Sequence, residues 1–136
     1  MKKAIIITAI LALAAPAMAQ TMHNLSQATV AWDAVAAPVE APGTIKYQVY
    51  VKSDPASIAG TKIGSEIAET QTLISFLPFV TYYAGVQTVF YPEGSDTPVV
   101  SEISWSNEAA DCSPAGPFGF YYVTAPGKPK NMLIVR

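Results

Sequence analysis

Hydrophobic and polar residues alternate with a period of two in short runs along most of the chain, and Pro, Gly, Asp and Ser residues separate the runs. This period places successive side chains on opposite faces of a β-strand. We find no amphipathic helical stretch of twelve or more residues after residue 20. The runs that predict strands are Ala28–Trp32, Ile45–Val51, a weaker Lys62–Ala68, Thr70–Leu77, Thr81–Phe90 and Val99–Trp105. Six short strands with turn signals between them predict an all-β sandwich.

The alternation also selects the face of each strand that we expect to be buried. The predicted inward residues are Ala28, Val30 and Trp32 in the first run, Ile45, Tyr47, Val49 and Val51 in the second, and Tyr82, Ala84, Val86 and Thr88 in the fifth. One apolar and one polar face per strand is typical of antiparallel sheets that pack on a single core.

The first nineteen residues have the pattern of a secretory signal peptide. Lys2 and Lys3 precede the apolar run Ala4–Ala15, and the small residues of Ala17–Ala19 form a cleavage site. The run is shorter than the roughly 20 residues that span a bilayer. We therefore expect a mature chain from Gln20, without a membrane span, that is periplasmic or secreted.

Composition narrows the choice of partners. The chain has 136 residues, of which 51% are hydrophobic and 13% charged, whereas about 25% charged is usual. Without residues 1–19 it keeps six basic and ten acidic residues, and no basic cluster is present that could neutralise a run of phosphates. This length predicts one domain, and the charge argues against nucleic acid as a partner.

Several motifs occur in an order and spacing that resemble a fibronectin type III domain, an immunoglobulin-like antiparallel β-sandwich. They are Val30–Ala34, Tyr47–Val51, Leu77-Pro78, Thr81–Val86 and Ser104–Glu108. The resemblance covers about residues 25–109, and we take residues 20–110 as the sandwich. It implies that Trp32 and Tyr47 pack between the two sheets, that Leu77 fills the base of a turn, and that the Tyr82 hydroxyl tethers the same corner.

The two ends of the chain depart from that family's pattern. Such a domain opens with a first strand that contains proline and pairs with the second strand, but Gln20–Gln27 has no proline and little alternation. The C-terminal extension, residues 111–136, ends instead in Pro126–Val135, which looks like such an opening strand.

Three arrangements of this extension remain open. Phe118–Thr124 and Met132–Arg136 form a hairpin in the first; Met132–Val135 pairs with Ala28–Trp32 of its own domain in the second; the same segment completes a neighbouring subunit in the third. All three start from the apolar run that contains Leu133, Ile134 and Val135, which is too apolar to be left in water.

Candidates for catalysis are few. His23 is the only histidine and precedes the first predicted strand, so it is poorly placed for a catalytic triad. Cys112 is the only cysteine, so it cannot form an internal disulfide, and it either pairs between molecules or stays a free thiol. We expect no catalytic residues, no cofactor and no metal site.

Two surfaces are candidates for binding. Glu40, Glu93 and Asp96 lie in loops that the family resemblance places at one pole. Alternation turns Tyr83, Tyr91 and Trp105 outward, where they could contact a protein or stack on sugars, unless Phe118–Tyr122 covers Tyr83 and Trp105. The expected function is protein–protein interaction, including self-association through the C-terminal strand; the alternative is a carbohydrate-binding module.

Overall fold

The computed structural model describes residues 20–113 and 115–136, and the predicted signal peptide lies outside the described residues. The strands are β1 (Thr21–His23), β2 (Gln27–Ala31), β3 (Gly43–Lys52), β4 (Thr61–Ile67), β5 (Gln71–Ser75), β6 (Thr81–Pro92), β7 (Val99–Trp105) and β8 (Phe118–Tyr121), with a short 3-10 helix at Ala109–Asp111. The six runs selected by alternation coincide with β2 to β7. The all-β prediction is therefore confirmed.

The strands form two sheets. The larger sheet has the order β1-β8-β6-β3-β4, and β7 also pairs with β6; the smaller sheet contains β2 and β5. The longest pairing joins β3 and β6 over ten residue pairs, from Gly43–Pro92 to Lys52–Tyr83. The two sheets enclose one core, as the sandwich prediction requires.

One edge of β6 is shared by two strands. β7 pairs with β6 between Gly85 and Phe90, and β8 pairs with it at Thr81 and Tyr82. The chain leaves the sheet after Ser106 and returns at Phe118, whose N–H donates to the Ser106 carbonyl at 2.7 Å. Phe118–Tyr121, which the sequence analysis assigned to an extension, is therefore a strand of the sandwich itself.

The core lies between the sheets on the predicted inward faces. Its buried members are Val49, Ile74, Phe76, Ala84 and Phe120. Trp32 and Tyr47 pack edge to face beside them with ring centroids 5.5 Å apart, and the Tyr47 hydroxyl accepts a hydrogen bond from the Val35 N–H at 2.8 Å. The two rings therefore meet where the family resemblance implied that they would pack.

The expected role of Leu77 is wrong. Its side chain is 66% exposed, whereas Phe76 is 6% exposed and stacks on Phe120 with centroids 4.4 Å apart. β5 ends at Ser75, and the core-facing alternation of Ile74 continues to Phe76, so Leu77 points to solvent. The Tyr82 hydroxyl accepts the Leu77 N–H at 3.3 Å, a hydrogen bond of the kind that the resemblance implied at this corner.

The outer face of the larger sheet is also covered. Trp105 is 4% exposed and lies so close to Gly85 and Gly60 that a Cβ at either position would meet its ring. The Lys52 ammonium sits 4.3 Å from the Trp105 ring centroid and donates to the Ser57 carbonyl at 2.6 Å. Trp105 is therefore covered by the loop between β3 and β4.

The core assignment predicts a large difference between two neighbouring substitutions. Phe76→Ala removes a buried ring and leaves a cavity, so we expect a loss of about 3–5 kcal/mol in the free energy of unfolding. Leu77→Ala removes an exposed side chain and should change it by no more than about 0.5 kcal/mol. Urea unfolding followed by tryptophan fluorescence measures both, and equal losses would contradict this packing.

Candidate strand-acceptor site

β2 has one strand partner and one free edge among the residues that the structure describes. β1, the strand that precedes it, pairs in parallel with β8 and not with β2. The segment Gln20–Gln27, which has no proline and little alternation, therefore supplies a strand to the larger sheet and leaves this edge of β2 open.

The register of β2 and β5 determines which backbone groups face the free edge. The Trp32 N–H donates to the Thr70 carbonyl, and the Phe76 N–H donates to the Ser26 carbonyl. Hydrogen-bonded pairs recur at every second residue of an antiparallel ladder. Because Ser26 and Trp32 both bond to β5 or its extension, the even-numbered residues of β2 between them also point their N–H and C=O groups toward β5. The odd-numbered residues Gln27, Thr29 and Ala31 therefore direct theirs away from β5, where an added strand would pair with them.

A cleft of about 370 Å³ opens between β2 and β7. Its walls are mostly apolar and include Val30, Trp32, Tyr47, Val86, Cys112 and Phe118. This volume lies within the roughly 300–1,000 Å³ that is usual for binding pockets and far exceeds the space of one water molecule. An added strand on β2 would have room in the cleft for its inward side chains.

Two polar groups lie in the cleft wall, the indole N–H of Trp32 and the thiol of Cys112. The indole N–H of Trp32 is buried and has no hydrogen-bond partner among the described residues, which leaves the cost of removing it from water uncompensated there. The Cys112 thiol lies 3.1 Å from the Ser106 carbonyl oxygen. Burial raises the pKa of Cys112, and the carboxylates of Asp111 and Glu108 raise it further. Cys112 is therefore held as a thiol rather than as a reactive thiolate.

The C-terminal segment makes no strand pairing in the described structure. The side chains of Met132, Leu133, Ile134 and Val135 are between 76% and 89% exposed. The predicted hairpin of Phe118–Thr124 with Met132–Arg136 and the pairing of Met132–Val135 with its own β2 are therefore absent from this structure. The proposal of pairing with a second subunit stays a prediction.

The predicted acidic pole is partly assembled. The loops before β3 and after β6 meet, because the Glu93 N–H donates to the Pro42 carbonyl at 2.9 Å. Glu40, Glu93 and Asp96 are all exposed in these loops. Within residues 20–113 and 115–136, no group of three or more His, Cys, Asp or Glu residues is arranged to hold a metal ion. These acids are hydrated loop charges in this arrangement.

The predicted aromatic surface is not assembled. Tyr83 is 6% exposed, and its ring lies against Gly119 of β8, which agrees with the expectation that the C-terminal region covers it. Trp105 is also buried, although the β3–β4 loop covers it. Tyr91 is half-buried and its hydroxyl donates to Glu66 at 2.7 Å, a hydrogen bond that raises the pKa of Tyr91.

His23 lies on β1 against Phe118 and Phe120, with ring centroids 6.2 and 5.9 Å away. This aromatic contact places His23 beside β8, on a strand that the alternation did not predict. In the part of the chain that the structure describes, no helix has the length and apolarity needed to cross a membrane.

The environment of Cys112 predicts slow alkylation. Because only the thiolate reacts and the pKa of Cys112 is raised, its rate with iodoacetamide should rise at a higher pH than that of an exposed thiol. A Cys112→Ser, Ser113→Cys variant provides the control, since residue 113 is exposed. Rate–pH curves with the same midpoint for the two proteins would contradict the assignment.

Comparison of the chain with protein-family models, with curated proteins and with solved structures finds no match. The functional argument therefore depends on the geometry of β2, the cleft and the C-terminal segment.

Proposed function

We propose that this chain is a non-catalytic, exported binding module built on a sandwich of fibronectin type III type, and that it binds protein by accepting a strand on β2. One observation carries this proposal: the free edge of β2 lies beside a mostly apolar cleft of about 370 Å³. Extended segments bind such edges through backbone hydrogen bonds, and pockets beside the edge select their side chains.

The family assignment is supported by features of the two sheets. The small sheet β2–β5 packs on the larger sheet through Trp32 and Tyr47, and the Tyr82 hydroxyl tethers the turn before β6. The resemblance implied both features. The signal-like segment before Gln20 supports export.

The amino-acid composition of β2 also favours strand addition. Free edges are usually protected by charged residues, proline or bulges. The edge strand β4 carries Lys62 and Glu66, and β7 carries Glu102. β2, with the sequence QATVA, has no such residue. β5 is also uncharged, but its residues do not line the cleft, so β2 is the better acceptor.

The carbohydrate-binding alternative has less support. It relied on outward-facing aromatic rings, and two of its candidates, Tyr83 and Trp105, are buried. The third, Tyr91, has its hydroxyl bonded to Glu66. No observation on the described residues favours sugar stacking.

Strand addition predicts a specific sensitivity to proline. The immobilised protein is used to select peptides from a random-peptide phage library, and we expect enrichment of peptides with alternating apolar residues. Thr29→Pro removes a backbone N–H that points away from β5 and would bond the added strand. If this costs about 1.4 kcal/mol of binding free energy or more, the affinity for the selected peptides falls at least about tenfold. Edge positions tolerate proline, and thermal unfolding verifies that the variant is folded.

Leu73→Pro is the matched control. Leu73 pairs with Thr29 and likewise directs its N–H out of the small sheet, but on the edge of β5. It should leave peptide binding unchanged. The proposal fails if no peptide is enriched, or if the enriched peptides bind the Thr29→Pro protein as well as the original one.

A further inference from the structure

We infer that the strand accepted by β2 is the C-terminal segment of a second copy of this chain, with Met132–Val135 lying antiparallel to β2 and its apolar side chains in the cleft. This inference rests on the proposed function, because it names the partner of the same edge. It is carried by the chemistry of the segment, by its charge and by the direction in which it leaves the sandwich.

The segment and the cleft are complementary in polarity. Met132, Leu133, Ile134 and Val135 expose most of their surface, although aliphatic surface is stabilised by leaving water. The cleft beside β2 presents mostly apolar walls. In an added strand, every second side chain of this run would enter the cleft and the others would lie on the outer face.

The charges are also complementary. Residues Gln20–Tyr122 contain ten acidic and three basic side chains, a net charge of −7, whereas residues Val123–Arg136 contain three basic side chains and no acidic ones. Among residues 20–113 and 115–136, the carboxylates in the cleft wall are those of Asp33 and Asp111, and no Lys or Arg lines the cleft. A segment carrying Lys128, Lys130 and Arg136 would therefore be attracted to this side of the sandwich.

The path of the chain favours a neighbour over the same molecule. The Val123 N–H donates to Asn24, and the Tyr122 carbonyl accepts the Phe79 N–H, so the segment leaves at the pole where β2 begins. An antiparallel strand must enter β2 at the opposite pole, near Ala31. To pair antiparallel with its own β2, the segment would first have to run along the whole length of β2. It would then have to reverse direction within Thr124–Asn131, which includes Pro126 and Pro129.

A second molecule placed end to end receives the segment without that reversal. Each copy then donates one strand and accepts one. Such a contact uses two different surfaces, so it is heterologous and produces open chains or rings of molecules.

Mixed crosslinking tests the inference directly. All proteins are expressed from the 136-residue sequence with Cys112→Ser, so that the introduced cysteines are the only thiols. One protein carries Thr29→Cys on β2 and the other carries Leu133→Cys in the segment; they are mixed and treated with copper phenanthroline, which oxidises two thiols to a disulfide only where their Cα atoms come within about 7 Å. Leu73 lies one strand further from the added strand than Thr29, at about 10 Å, so a disulfide distinguishes the two positions. We expect a crosslinked pair, formed at least five times more than with Leu73→Cys on β5 in place of Thr29→Cys, and reduced when Ile134→Asp is added to the Leu133→Cys protein.

Several results would overturn the inference. No crosslinked pair, or an equal yield with Leu73→Cys, would exclude β2 as the acceptor of this segment. A crosslink that forms only within one molecule carrying both Thr29→Cys and Leu133→Cys would mean that the segment pairs in its own chain. If crosslinking fails while library peptides still require Thr29, the proposed function stands and the partner is another protein. If both fail, both proposals are rejected.

Discussion

The ten-residue pairing between β3 and β6 is the interaction on which the rest of the structure depends. Each flanking element attaches to one of these two strands: β4 pairs with β3, while β7 and β8 pair with β6. Both faces of the pair are covered. Val49 and Ala84 face the core, while Tyr50 and Tyr83 are buried on the opposite side. Because both faces of this pair are packed, the register between β3 and β6 is fixed: a slip of one residue would move every core-facing side chain of the shifted strand to the opposite face.

The division of one β6 edge between β7 and β8 determines where the cleft lies. In a continuous final strand, β7 would run directly into β8. Instead the chain leaves the sheet after Ser106, whose hydroxyl accepts the Ala84 N–H at the break. The excursion brings Cys112 into the cleft wall, while β1 is held beside β8 and away from β2. The cleft and the free edge thus have a common origin in the path of the chain around β6.

Local alternation was enough to predict six strands and their inward faces, while the contact between Trp32 and Tyr47 was an implication of the family resemblance. Alternation did not single out Phe76, because apolar residues occupy both faces of the predicted strand Thr70–Leu77. The family resemblance then assigned the corner to Leu77 instead. Alternation also missed the burial of Lys52, since a lysine is expected to be solvent-exposed unless a specific aromatic ring and a loop carbonyl are brought to it. The cover of Trp105 was expected from Phe118–Tyr122, whereas the loop between β3 and β4 supplies it. The fold was therefore more predictable than the site. The free edge of β2 depends on β1 pairing elsewhere, a non-local choice that three residues do not reveal.

Two features of the described chain are each unfavourable in isolation: an uncharged strand edge with unpaired backbone groups, and an aliphatic segment left in water. Pairing one with the other removes both costs, because the backbone groups gain hydrogen bonds and the aliphatic side chains leave water. The uneven charge of the chain adds selectivity. A body of net charge −7 repels other bodies, while a basic segment attracts the cleft side of the next molecule. If the segment is the donor, association is therefore directed to one contact, and random aggregation through the same free edge is opposed by the charge of the body.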